Sequence, residues 1–403
     1  MTDLANRTIL LGVSGGIAAY KAADLTSKLS QAGARVRVIL TSHGAEFISP
    51  VTFQALSGEP VHTSTFAAPE TYGMGHLALA AGAAALVVAP ATANVLAKAA
   101  AGLADDLLST TLLSVTCPVL FAPAMNPAMW AQPSTQRNVA QLAADGRHFV
   151  GPEEGWLACR ERGVGRMASP EEIVWALRRL VFEPRDLDGV RVLITAGPTH
   201  EHLDPVRYLS NPSTGRQGYA LAEAALLRGA QVTLVTGPSQ LTPPTGAAVV
   251  AVTTAAEMAT ATLAAAPRHD VVIGCAAVGD YTPTGPADRK LPKQPRLTLE
   301  LTTTQDIIAA VAAARQPRQL VVGFAAETHD ALATAAAKRA AKGLDLIVVN
   351  DVTEPGAGFG GPDNHVTLLD EAGPRHLSPR SKLQVAHTVL EWVAARRDRR
   401  AHG

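Results

Sequence analysis

The sequence predicts an α/β protein built on two doubly wound, mainly parallel sheets. Three observations predict it. Short apolar runs rich in Val, Ile and Leu recur along the 403 residues. Longer Ala-rich amphipathic stretches separate them, which is the trace left by buried parallel strands joined through crossover helices. The same alternation then starts afresh near the middle of the chain, and 403 residues exceed one average domain.

In the first half the strands read as Thr8–Val13, Val36–Thr41, Leu86–Ala89 and Val119–Ala122, with a helix over Ala19–Ala32 stopped by Gly33. Leu77–Ala97 is uncharged and close to the ~20 residues needed to span a bilayer. Gly82, Pro90, Thr92 and Asn94 break it into a helix, a strand and a polar loop, so no membrane span is expected. In the second half the strands are Val190–Thr195, Val232–Thr236, Val271–Gly274, Leu320–Gly323 and Leu344–Val349, followed by an edge hairpin strand at Val366–Leu369. A helix over Pro170–Phe182 stops near Pro184, and Glu183–Gly189 reads as the junction. The expected domains are 1–185 and 186–403.

Composition narrows the partners. With 47% apolar and 17% charged residues the chain can bury substantial cores. Thirty-five Lys and Arg balance thirty-five Asp and Glu, and aromatics are only 4%. Net charge thus gives no argument for nucleic acid or an anionic membrane, and stacking platforms are few; small-molecule ligands are expected. Cys117, Cys159 and Cys275 are odd in number and form no CxxC pair, which argues against a disulfide framework or structural zinc. The N-terminus lacks the basic and apolar regions of a secretory signal. A reducing, cytoplasmic location is expected.

The chemistry-bearing residues follow the strands. After the first comes Gly12-Val-Ser14-Gly15-Gly16-Ile17, leading into a helix, where backbone amides and small residues suit a phosphate. The G-x-G-x-x-G spacing of a dinucleotide site is absent. G-x-S-x-G also fits the nucleophile elbow of hydrolases, but no earlier strand supplies an oxyanion loop; the phosphate turn is the favoured reading. Pro90–Lys98 carries Thr92 and Asn94, Gly102–Thr110 carries Ser109, and Pro123–Trp130 carries Ala124, Met125 and Asn126. All should gather at the carboxyl edge of one sheet, where open α/β folds bind ligands. His76, in Gly73-Met-Gly75-His76, reads as a helix cap or a base. Cys159, in the Gly-rich loop 155–167 among cationic residues, reads as a tuned thiol or an inert one.

In the second half, residues 196–199 and 204–218 place small and hydroxylated residues before a helix over Tyr219–Arg228, with Arg216 able to face phosphate oxygens. This suits a nucleotide polyphosphate, although no Walker A loop is present. Further strand-end features are Gly274-Cys275-Ala276 and Asp280, Lys290 on a Pro-rich segment, Gln305-Asp306-Ile307-Ile308 at a helix start, Phe324, Lys338 and Lys342.

Taken together, SGGIAAYK, GxGH, PATANxxAK, ADDLLSTT, PAMNxxMW and LACxxxGxGRM over residues 9 to 167 resemble the flavin-containing cysteine decarboxylases. More specifically, they resemble the N-terminal half of the bifunctional phosphopantothenoylcysteine decarboxylase / phosphopantothenate-cysteine ligases of coenzyme A biosynthesis. Residues 190 to about 392 resemble the ligase half. The resemblance implies two Rossmann-like domains, a flavodoxin-like flavoprotein and a nucleotide-binding ligase.

For the first, it implies FMN held by Ser14, Gly15, Gly16, Ile17, Ser42, Thr92, Asn94, Ser109, Ala124 and Met125. His76 helps to oxidise the substrate thiol to a thioaldehyde, which loses carbon dioxide. Asn126 holds the substrate carboxylate, and Cys159 protonates the enethiol as reduced flavin returns its hydride. For the second, it implies that CTP activates 4'-phosphopantothenate as an acyl-cytidylate, which L-cysteine attacks. Asn211 binds the acyl-cytidylate, Lys290 the triphosphate or acyl phosphate, and Asp280 the nucleotide with Mg2+. Gly274, Cys275, Ala276, Gln305, Asp306, Ile307, Ile308, Phe324, Lys338 and Lys342 surround the cytidine.

A homo-oligomer is implied, with trimeric flavoprotein contacts and dimeric ligase contacts, compatible with a dodecamer. The family's SSGKMG, ADY and KIKK stand here as Ser213–Gly218, Gly279-Asp280-Tyr281 and Lys290–Lys293; Arg for Lys keeps charge but changes geometry. Against this stand a non-catalytic flavoprotein subunit with a degenerate ligase half, and a hydrolase using Ser14.

Overall fold

The computed structural model describes residues 4–65, 75–327, 330–351 and 363–402. The chain divides into two compact units, Met1–Phe182 and Glu183–Gly403.

In the first unit six parallel strands lie in the spatial order Val61–His62, Arg35–Leu40, Thr8–Val13, Ala83–Ala91, Val119–Pro123 and His148–Phe149. Without the two-residue edge strand Val61–His62 the order is that of flavodoxin-like sheets; with it, that of the dinucleotide-binding fold. Both reverse direction beside the first strand, and the crevice opens there, above the ends of Thr8–Val13 and Ala83–Ala91. Alternate residues of the first strand serve opposite cores. Ile9, Leu11 and Val13 pack with Leu25 and Leu29 of the helix Ala19–Gln31 and with Ile173 and Leu177. Leu10 packs with Leu86, Leu108 and Phe121 on the other face. This two-sided burial is why the strand reads as an unbroken apolar run.

The uncharged stretch Leu77–Ala97 is divided among the helix Gly75–Ala80, the strand Ala83–Ala91 and the start of the helix Ala93–Ala101. Among the described residues no helix is long and apolar enough to cross a membrane. The strand is longer than the expected Leu86–Ala89 because its Ala-rich ends carry no β-branched signal. A larger correction concerns residues 155–167, expected as a loop. Glu153–Trp156 and Arg162–Arg166 form an antiparallel hairpin with Cys159 at its tip. Glycine hides these strands from a propensity reading, yet a Cβ on Gly163 would sit 2.8 Å from Pro127 Cγ, and on Gly165 2.2 Å from the Met125 carbonyl oxygen.

The second unit carries an eight-stranded sheet in the order Ala248–Ala251, Gln231–Thr236, Arg191–Ala196, Val271–Gly274, Leu320–Glu327, Leu346–Asp351, Val366–Asp370 and Gly373–His376. Its last two strands run antiparallel. The order again reverses beside the first strand, so the crevice lies above Ala196 and Gly274. The helix expected over Tyr219–Arg228 instead spans Arg216–Leu227, because Gly215 takes a left-handed φ of 81° and starts the helix three residues earlier.

Candidate functional site

The reversal of strand order in the first unit puts Ser14 beside Pro90 and Thr92, 76 and 78 residues away. Ser14 Oγ donates to the Pro90 carbonyl at 2.7 Å, lies 3.2 Å from Thr92 Oγ1, and accepts from the Thr92 amide at 3.3 Å. At 1% exposure it ties two crevice-lining turns together. An elbow nucleophile is exposed and gives its proton to a base, so the hydrolase reading is excluded. Gly15 has no room for a side chain: a Cβ there would sit 2.3 Å from His43 Cβ, in the short helix Ser42–Ala45 capped by Thr41. The turn therefore exposes backbone rather than side chains, the cradle an anionic phosphate requires. Ile17 beyond it is 60% exposed.

Ala124 N donates to the Ala91 carbonyl at 3.1 Å and Met125 N to the Gly165 carbonyl at 3.0 Å, so the Pro123–Asn126 loop is stitched to both the sheet and the hairpin. Asn126 caps the helix Pro127–Ala131 through its Oδ1, which accepts from Ala128 N at 2.8 Å. Its Nδ2 points to Cys159 Sγ at 3.4 Å. The exposed thiol lies 3.8 Å from Glu161 Oε2. At the base of the hairpin Arg166 pairs with Glu153 at 2.6 Å. A hydrogen bond with Glu172 together with burial pushes the Glu153 carboxyl up, and the same bond holds Glu172 down.

Two expected contacts sit in helices rather than loops. Asn94 is exposed in Ala93–Ala101. Ser109 is 2% exposed in Leu107–Ser114, its amide and hydroxyl both taken by Asp106 in a capping box; Asp106 also pairs with Lys98 at 2.8 Å. His76 belongs to the helix Gly75–Ala80, but its side chain, like Gly73, lies outside the described residues.

In the second unit four glycines crowd the switch point. A Cβ on Gly197 would meet the Gly237 carbonyl oxygen at 3.1 Å, on Gly215 the Gly197 Cα at 3.2 Å, on Gly218 the Ala196 Cβ at 2.5 Å, and on Gly237 the Pro198 carbonyl oxygen at 1.7 Å. Thr195 Oγ1 accepts from the amides of Cys275 and Ala276 at 3.2 and 3.3 Å, and Thr199 Oγ1 from that of Gly279 at 2.9 Å. Asn211 Nδ2 donates to the Ala277 and Val278 carbonyls at 3.2 and 3.1 Å. Asn211, Cys275, Ala276 and the segment leading to exposed Asp280 are thus brought together at one sheet edge.

The Cys275 thiol is pushed up to about 12 by burial against the opposing charge of Lys382; it stays protonated and is a wall, not a nucleophile. Across the crevice, Gly274 abuts Ile308, whose Cδ1 would lie 3.0 Å from an added Cβ. Asp306 caps the helix Ile307–Ala313 and pairs with Lys342 at 2.8 Å, and Lys338 pairs with Glu327 at 2.6 Å. Phe324 is half-buried on the strand Leu320–Glu327, and Gln305 and Lys290 are exposed.

Residues 1–182 match the Flavoprotein family, and residues 187–396 match the DNA/pantothenate metabolism flavoprotein C-terminal domain. The coenzyme A biosynthesis bifunctional protein CoaBC of Bacillus subtilis is 49% identical over 397 residues, covering 97% of this chain and 98% of that protein. The chain belongs to the CoaBC family. It is therefore a bifunctional flavoprotein enzyme of coenzyme A biosynthesis, with decarboxylase and ligase activities. CoaBC of Escherichia coli is 43% identical over 401 residues, 98% of each chain. Among solved structures, the C-terminal domain of a CoaBC protein is 37% identical, covering 53% of this chain and 97% of that one with a TM-score of 0.46. A PPC decarboxylase complexed with pantothenoylaminoethenethiol is 32% identical, covering 43% and 97%, with a TM-score of 0.40.

Set against a CoaBC reading of the sequence alone, the structure adds the hydroxyls of Thr195 and Thr199, which hold the 275–279 loop, and Glu161 beside the Cys159 thiol. Glu161 had a signal, lying two residues from the cysteine. The threonines had none beyond their place at a strand end.

Proposed function

We propose that the first unit binds FMN and decarboxylates 4'-phosphopantothenoylcysteine to 4'-phosphopantetheine, and that the second makes that substrate from 4'-phosphopantothenate, L-cysteine and CTP. The observation that carries the first half is the 3.4 Å approach of Asn126 Nδ2 to Cys159 Sγ. A side-chain amide just past the strand Val119–Pro123 and a thiol at the hairpin tip meet there, 33 residues apart in sequence.

The Gly15 turn fits a phosphate. Ser14, Gly15, Gly16 and Ile17 would hold it, with Ser42, Thr92, Asn94, Ala124 and Met125 around the rest of the FMN and Ser109 fixing the helix behind. When bound, FMN supplies reversible storage of an electron pair. Asn126 orients the substrate carboxylate for loss of carbon dioxide, His76 is the base toward the substrate thiol, and Cys159 gives its proton to the enethiol carbon. Asn126, already donating toward the thiol, steadies the thiolate that remains.

In the second unit the glycine-lined turns take the triphosphate, and Lys290 and Asn211 the acyl phosphate. Residues Gly274–Ala276, Gln305–Ile308, Phe324, Lys338 and Lys342 enclose the cytidine. Among the described residues no group of three or more His, Cys, Asp or Glu could hold a metal. Asp280 is the residue that would hold Mg2+ brought in with the triphosphate, and the ion would offset the charge developing on the phosphates. Tyr20, Val51 and Leu56 are 63%, 65% and 36% exposed on the packed helices Ala19–Gln31 and Pro50–Ser57. Exposed apolar side chains of this kind are what trimeric flavoprotein contacts would cover, with dimeric ligase contacts completing a homo-oligomer. The location we propose is cytoplasmic.

Two experiments test this. Purified protein given 4'-phosphopantothenate, cysteine, CTP and Mg2+ should form 4'-phosphopantetheine, with ATP a poor substitute for CTP; equal rates would remove the cytidine assignment. Gly15→Ala should fold with an unchanged far-ultraviolet spectrum yet retain flavin about tenfold or more weakly, a loss of ~1.4 kcal/mol. Full flavin absorption per mole of this variant would remove the phosphate cradle.

A further inference from the structure

Asp204 lies 1% exposed in a stretch whose next two residues, Pro205 and Val206, are exposed. Its Oδ1 accepts from the amides of Val206 and Arg207 at 2.9 and 2.8 Å. Its Oδ2 accepts from Nε and Nη2 of Arg207 at 2.9 and 2.6 Å, and from the amide of Leu291 at 3.1 Å. Arg207 Nη2 also donates to the Leu291 carbonyl at 2.7 Å. Leu291 is thus held through both of its backbone polar groups by one ion pair 84 and 87 residues away. Four residues earlier, the Ala287 amide donates to the Leu203 carbonyl at 2.9 Å. Between these two anchors run Asp288, Arg289 and Lys290, all exposed and outside regular secondary structure.

We propose that Asp204 is a positioning residue for the ligase reaction: with Arg207 it brackets the 287–291 segment and sets Lys290 toward the phosphates. The inference rests on the assignment of Lys290 made above. An exposed lysine on an otherwise unsupported segment would lose side-chain and backbone entropy on meeting a phosphate, and two fixed ends remove part of that cost beforehand. The same bracket leads through Tyr208–Leu209 to Asn211, so one carboxylate anchors the chain on the way to both residues assigned above to the acyl phosphate. Arg207 beside it holds the Asp204 carboxyl well below the usual carboxylate range, so the bracket persists at neutral pH. Asparagine would keep the shape but turn an NH2 toward groups that are themselves donors.

The test compares Asp204→Asn, Lys290→Gln and the double variant in the full-length, flavin-loaded chain. Pyrophosphate release is read with CTP, decarboxylation of preformed phosphopantothenoylcysteine reports the first unit, and an unchanged far-ultraviolet spectrum and melting transition serve as the folding control for the second unit, which holds both residues. Asp204→Asn should lower ligase kcat/KM by about tenfold with decarboxylation intact, and the double variant should be no slower than Lys290→Gln alone within about twofold, since both changes remove the same contact. Hydrogen exchange over 285–293 should rise in Asp204→Asn. Multiplicative losses in the double variant, or wild-type ligation by Asp204→Asn, would overturn the proposal. Wild-type ligation by Lys290→Gln would instead overturn the Lys290 assignment. Should Asp204→Asn fail to fold, Arg207→Lys takes its place: it keeps the charge but gives up the forked donation to both Asp204 and Leu291, and it must show the same non-additivity with Lys290→Gln.

Discussion

Replacing Cys159 by serine is expected to leave carbon dioxide release running while formation of the saturated thiol falls by ~10²–10⁴-fold, the range lost when a positioned proton donor is removed. The split follows from where the residue sits. On the roles proposed above, oxidation of the substrate thiol and loss of the carboxylate would draw on the crevice and Asn126, which serine leaves in place. The final protonation needs an acidic group at the hairpin tip, and an alcohol is a far weaker acid than a thiol. Serine keeps a hydrogen-bond acceptor for Asn126 Nδ2, now 3.4 Å from sulfur, so the loop geometry should survive. The measurement is a paired one: carbon dioxide evolved against 4'-phosphopantetheine formed, with accumulated unsaturated product identified by mass. Equal completion by the variant and the parent chain would refute the proton role. Should both outputs fall together, the thiol would act in the earlier oxidation instead.

Lys290→Gln is expected to cut pyrophosphate release by ~10²–10³-fold, the cost of losing one charged or dipolar stabiliser of a developing anion, with decarboxylation unchanged. Glutamine preserves a donor and much of the length but not the positive charge. The effect should fall on kcat/KM for both CTP and 4'-phosphopantothenate, because a cation at the acyl phosphate stabilises the transition state that joins them. The two units are separately cored, with Met258, Val272 and Val321 central to the second, and an exposed side chain contributes nothing to that core. A parallel loss of decarboxylation would therefore contradict the separation of activities between the units. Normal pyrophosphate release would remove Lys290 from the site.

Parts of both proposed sites could be picked out before any fold was known. The Ser14–Ile17 turn shows itself because a run of glycines after a buried strand has few structural uses, and the position of Asn126 straight after a core strand marks it as more than a solvent cap. Ser109 and Asn94 were legible as polar residues near the crevice but not as helical ones. Short helices after tight turns carry too little periodicity to announce their start, and Asp106 serves as cap and ion-pair partner at once. The hairpin bearing Cys159 was concealed by the very glycines that let it lie against Pro127 and Met125.

Local sequence suffices for two α/β units, their strand-ending turns and the residue types that the crevices present. All of these are written locally, in apolar period, helix stops and glycine placement. Which of those turns meet is set by the packed fold. Ser14 bonding to Pro90, Asn126 reaching Cys159, and Asp204 gripping Leu291 are contacts across 33 to 87 residues. The first and last exist because each sheet reverses its strand order beside its first strand, the second because a separate hairpin packs on the loop after Val119–Pro123, and long-range pairing leaves no mark in any short window of sequence.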